Sequence, residues 1–90
     1  MPVTRSEHVV LGAAVREMRA RRGLSQQELG SQAQLHRNYV GAIERGEINP
    51  TWRILRKLAN GLDVSLSELV ALFEIRNSEV CNSDQDGAAR

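Results

Sequence analysis

Aromatic side chains are almost absent from this sequence: Tyr39, Trp52 and Phe73 are all it contains in 90 residues. A sheet protein draws on aromatic and β-branched residues in alternation, so the scarcity argues for helices packed through Leu, Val, Ile and Ala. Cysteine is nearly missing too. Cys81 has no second cysteine with which to form an internal disulfide, and it lies in a polar stretch, which fits a reducing compartment better than a metal or redox site. No apolar run approaches the roughly 18 residues needed to cross a bilayer, and no signal-like apolar segment opens the chain, so a cytoplasmic location is expected. Only His8 and His36 supply imidazole, and no His-and-carboxylate cluster, phosphate loop or partnered nucleophile is visible. No catalytic residue, cofactor or metal is therefore assigned. A chain of this length has room for one core and no separate catalytic module.

What is present is unevenly distributed. The net charge is +1, but residues 1–62 hold ten Arg and Lys against five acids, and residues 63–90 hold two Arg against six acids. The first segment is thus +5 and the second −4. A polyanion would meet the basic end, although a solvated helical surface can carry the same split.

Along the chain, residues 1–5 read as a loose arm and residues 6–76 as one all-α, five-helix domain. Leu11, Ala14, Val15 and Met18 fall at i, i+3, i+4, i+7, so a first helix spans about Ser6 to Arg22 and ends at Gly23. Ser25 and Glu28 form a capping box that opens a second helix, Gln26 to Ala33. A turn at Gln34 and Leu35 leads to a third, His36 to Arg45, stopped by Gly46. Asn49, Pro50 and Thr51 punctuate the chain before a fourth helix with its stripe of Leu55, Leu58, Ala59 and Leu62, and Asp63 takes a left-handed turn. Ser65 and Glu68 cap a fifth, whose Leu66, Leu69, Val70 and Phe73 share one side. Leu72 and Ile75 lie on a different face and predict an apolar strip that something else must cover. From Asn77 to Arg90 the run is polar and patternless and reads as a disordered tail.

The third helix separates two kinds of residue. Val40 and Ile43 point one way with Tyr39 at the margin, while Arg37, Asn38, Gly41, Ala42 and Arg45 point the other. Arg suits the acceptors of guanine, Asn those of adenine, and a small apolar side chain the thymine methyl. Gly41 costs roughly 1 kcal/mol against Ala within a helix, which asks for close approach to another backbone or to DNA. An ordinary solvated face with a tolerated glycine fits the same residues.

The stretch GLSQQELGSQAQLHRNYVGAIERG, Gly23 to Gly46, resembles the helix-turn-helix of the lambda-repressor-like, Cro-type family of regulators, also called the xenobiotic response element family. The matching positions include Leu29, Gly30, Ala33, Leu35, Val40 and the closing Ile43-Glu44-Arg45-Gly46, and the likeness extends over about residues 9 to 73 through VREMR and NPTWRILRKLANGLDVSLSEL. The sequence departs from the family at Gln34 and Asp63, where glycine is usual, and at His36, where Ser or Thr caps the third helix. The resemblance implies that Arg37, Asn38 and Ala42 meet base edges, that Gln26 reaches a phosphate and that Tyr39 reaches the sugar-phosphate backbone; from their own place on or beside the third helix, Gly41 is added to the base contacts and His36 and Arg45 to the phosphate contacts. For His36 a cap, and for Tyr39 packing beside the core, are the alternatives. It also implies a structural salt bridge between Arg19 and Glu44.

Together these readings predict a DNA-binding regulator working as a homodimer on a pseudo-palindrome whose half-sites lie about 34 Å apart. Leu72 and Ile75 are its expected dimer contact. Within that class LHRNYVGAIERG resembles controller proteins of restriction-modification systems, but equally suits other stand-alone regulators, repressors included. A different class is an antitoxin or other interaction module that offers its fifth helix to a foreign protein such as a toxin or RNA polymerase.

Overall fold

The computed structural model describes the backbone of residues 3–88 and the side chains of residues 7–79. Five helices follow in order: α1 (Val3–Arg21), α2 (Gln26–Ala33), α3 (Arg37–Glu44), α4 (Trp52–Leu62) and α5 (Leu66–Ala88). There is no strand among the described residues.

Local chemistry sets most of these boundaries. Ser25 Oγ accepts from the Glu28 amide at 3.0 Å while Glu28 Oε1 accepts from the Ser25 amide at 2.8 Å, and Ser65 and Glu68 repeat the exchange at 3.1 and 2.8 Å. Thr51 Oγ1 caps α4 by accepting from the Ile54 amide. Helices α1 to α4 are each followed by a left-handed residue, and two of these are not glycine: Gln34 (φ 61°) after α2 and Asp63 (φ 59°) after α4. At Gln34 the sterically costly conformation brings its own amide and that of Leu35 back onto the last carbonyls of α2.

The core gathers one stripe from each helix: Ala14, Val15 and Met18 of α1, Leu29 and Ala33 of α2, Val40 and Ile43 of α3, Leu58 and Leu62 of α4, and Leu69 and Leu72 of α5. Helix α2 packs chiefly against α4, and α1 against both α3 and α5. The crossing of α1 with α3 is close because position 12 is glycine; a Cβ there would run into the carbonyls of Ile43 and Glu44.

Three sequence expectations change. Helix α1 starts at Val3, inside the segment expected to be a loose arm, since residues 3–5 contain neither glycine nor proline to break it; Met1 and Pro2 lie outside the described residues. Helix α5 continues through Asn77 to Ala88, into the stretch read as disordered, with no proline to stop it; residues 89–90 lie outside the described residues. Arg76 ties this helix to α1 through two bonds to Glu17, at 2.9 and 3.1 Å. Finally, Leu72 is not part of an exposed strip. It is 7% exposed and belongs to the core, because α5 is covered by α1 as well as by α4, which leaves Ile75 alone at 54% exposure.

Candidate nucleic-acid interface

Glu44 is the one buried charged side chain of the described residues, at 3% exposure, and it organises the helix-turn-helix. A lone carboxylate so placed carries a heavy desolvation cost unless its oxygens are filled. Arg19 of α1 fills both, with Nε donating to Oε2 at 2.6 Å and Nη2 to Oε1 at 2.9 Å. Gln26 of α2 adds Nε2 to Oε1 at 3.0 Å. The bidentate pairing raises the Arg19 pKa above its ordinary range. One carboxylate at the end of α3 therefore holds three helices in register, as expected for the Arg19–Glu44 pair. The sequence did not point to the rest of this cluster. Arg16, largely exposed, sends Nη2 to the Glu44 carbonyl at 3.4 Å.

Above this hub, α3 presents its outer side. Arg37 and Asn38 are exposed on its first turn and Ala42 is half-buried, while Val40 and Ile43 behind them are 0% and 1% exposed. Arg37 Nη1 lies 3.4 Å from Gln27 Oε1, a neighbour on α2 that sequence reasoning missed. His36 takes the capping option: its Nδ1 accepts from the Asn38 amide at 3.0 Å. Tyr39 is half-buried and packs against the core.

Gly41 requires a correction. It is buried rather than displayed beside Arg37 and Asn38, because the side chains of Gln26 and Arg45 lie over it. Gln26 sits in the first turn of α2, as expected, but with its amide turned onto Glu44. Arg45 is exposed and held by Glu47, Nε to Oε2 at 2.7 Å and Nη2 to Oε1 at 3.2 Å. That pairing lowers the Glu47 pKa below the ordinary carboxylate range and raises that of Arg45. The spacing of two across Gly46 was the available signal for it.

Other charged groups sit differently. Arg53 and Arg56 of α4 are exposed, Lys57 is half-buried, and none of the three has an ion-pair partner among the described residues. Trp52, at the start of the same helix, is 67% exposed. No group of three His, Cys, Asp or Glu side chains gathers as a metal site among the described residues, and no helix there is long and apolar enough to cross a membrane.

Comparison with known proteins agrees with this architecture. Residues 10–72 match the family model described as a helix-turn-helix domain. The control protein C.SmaI of Serratia marcescens is 36% identical over 70 residues, covering 78% of this chain and 83% of that protein. The control protein C.BamHI of Bacillus amyloliquefaciens is 31% identical over 78 residues, covering 86% and 96%. Among solved structures, the restriction-modification controller protein C.AhdI of Aeromonas hydrophila superposes with a TM-score of 0.69 at 41% identity, over 71% of this chain and 97% of that one.

Proposed function

Because this chain belongs to the family of helix-turn-helix domains, we propose that it is a transcriptional regulator that reads duplex DNA as a homodimer, in the manner of a restriction-modification controller protein. One observation carries the reading: α3 is fixed from behind by Val40, Ile43 and Glu44, while Arg37 and Asn38 on its first turn stand exposed. In this proposal Arg37, Asn38 and Ala42 meet base edges in the major groove, and phosphate contacts from Gln26 and Arg45 set the register. His36 and Tyr39 act mainly as cap and packing residue, with their outer edges next to the backbone. The protein works in the cytoplasm and performs no catalysis.

Two-fold symmetry would place two copies of α3 about one DNA turn apart. With Leu72 committed to the core, the dimer contact falls to Ile75, one turn further along α5. Sedimentation of Ile75→Glu beside wild type tests this: a monomer is expected, and an unchanged dimer retires Ile75 from the interface. For the function itself, selection of bound fragments from random duplex DNA at two salt concentrations should enrich an inverted repeat. The logarithm of its affinity should fall linearly as log salt rises, because phosphate contacts release counterions. A pool retained without enrichment would leave only nonspecific binding.

A further inference from the structure

A cavity of about 280 Å³ opens where α1, α4 and α5 meet the loop that follows α3. Leu11, Leu55 and Phe73 are among its apolar walls, and its polar groups are Glu7, His8 and Asn49. None of those three side chains makes a hydrogen bond or an ion pair with another described residue. Glu7 is the one charged group among the described lining residues, an acid within a segment, residues 1–62, that holds ten Arg and Lys against five acids. The loop wall is held in place: Gly46, at φ 75°, lies so close to α1 that a Cβ there would stand 2.9 Å from Val9 Cα, and Pro50 is buried. The expected dimer contact lies elsewhere, since at 3.6 residues per turn Ile75 points about 140° away from Val70 and about 160° away from Phe73 around α5.

We propose that this cavity binds a small organic cation, a primary amine carried on a compact aromatic or branched hydrocarbon group. Its volume is at the lower end of ligand pockets, which run from about 300 Å³ upward, so the occupant is of fragment size. The hydrocarbon part leaves water against Leu11, Leu55 and Phe73. The ammonium donates to the Glu7 carboxylate, a charge-assisted bond, and Asn49 Oδ1 and a ring nitrogen of His8 offer it further acceptors. A carboxylate of the same size would meet Glu7 as a like charge and be excluded.

The test uses the full chain without DNA and three probes of one shape: 2-phenylethylamine, 2-phenylethanol and 3-phenylpropanoate. Binding is read from the fluorescence of Trp52, the only tryptophan, three residues before Leu55, and from thermal unfolding, since a ligand of the folded state raises the melting temperature. Saturable binding of the amine is expected, with the alcohol about tenfold weaker and the carboxylate not bound. Glu7→Gln, at an exposed side chain, should leave the melting temperature of the free protein unchanged and bring the amine down to the level of the alcohol. Val70→Phe, which fills a half-buried position in the wall, should abolish binding of both. Absence of saturable amine binding, equal binding of amine and carboxylate, an amine preference that survives Glu7→Gln, or full binding by folded Val70→Phe would each overturn the inference. So would amine binding that weakens as the protein concentration rises, because a second copy of the chain would then be the occupant.

Discussion

Helices α3 and α5 each carry polar and apolar residues on more than one side, yet they relate to the rest of the chain in opposite ways. Helix α3 has eight residues, one buried side and one outer side, and its buried side ends on a carboxylate clamped by two other helices. Helix α5 has 23 residues, Leu66 to Ala88, and is covered by α1 and α4 near its start. Short α3 is fixed from behind and presents its polar side; long α5 is held where α1 and α4 cover it. Rigidity is what a reading surface needs, since base discrimination rests on side chains held in fixed geometry.

The contrast breaks most visibly at Leu72. Leu72→Glu forces a carboxylate into the core and is expected to cost about 3 kcal/mol or more, enough to unfold a domain of this size. Ile75→Glu, three residues on and 54% exposed, should leave the melting temperature nearly unchanged and act only on self-association. Similar losses of stability in both would erase the distinction between covered and uncovered sides of α5.

Next in size is the hub below α3. Glu44→Ala removes the acceptor of Arg19 and Gln26 together and leaves a largely buried guanidinium unpaired, so a loss of about 3 kcal/mol in denaturant unfolding is expected. A loss under about 0.5 kcal/mol, the size of an ordinary surface change, would mean that packing alone orients α3.

The smallest effect belongs to the anchor of α5. Hydrogen bonding to Arg76 holds the Glu17 pKa below the ordinary carboxylate range, and the nearby charges of Arg76 and Arg21 act the same way. A depressed folded pKa adds stability that is complete above the unfolded value and is lost as pH falls through the folded one. Acid titration of unfolding should therefore show a component absent from Glu17→Gln, and an identical pH dependence in the two would remove this pair from the account. Because both partners are partly exposed, added salt should shrink it further.

Much of this was legible in the chain. The capping boxes at Ser25 and Ser65, the left-handed end at Asp63 and the stripe of α3 are written in local spacing, and local spacing survives folding; at Gln34 the residues gave a turn, and the family resemblance its usual glycine. The Arg19–Glu44 pair was legible only through resemblance to a family, since 25 residues separate the partners. The misreadings share one cause. Whether Leu72 is covered and whether Gly41 is overlain depend on which helices and side chains lie alongside, and Arg76 and Glu17, 59 residues apart, leave no local trace of their pairing.

The most direct test of the central claim measures Arg37→Ala against an operator and each of its single base-pair substitutions. If the exposed first turn of α3 reads bases, wild type should lose about 1–3 kcal/mol on changing one particular base pair, and the variant should be indifferent to that pair while keeping its preferences elsewhere. A variant that binds every duplex more weakly by the same factor, with wild-type preferences intact at every position, would contradict it.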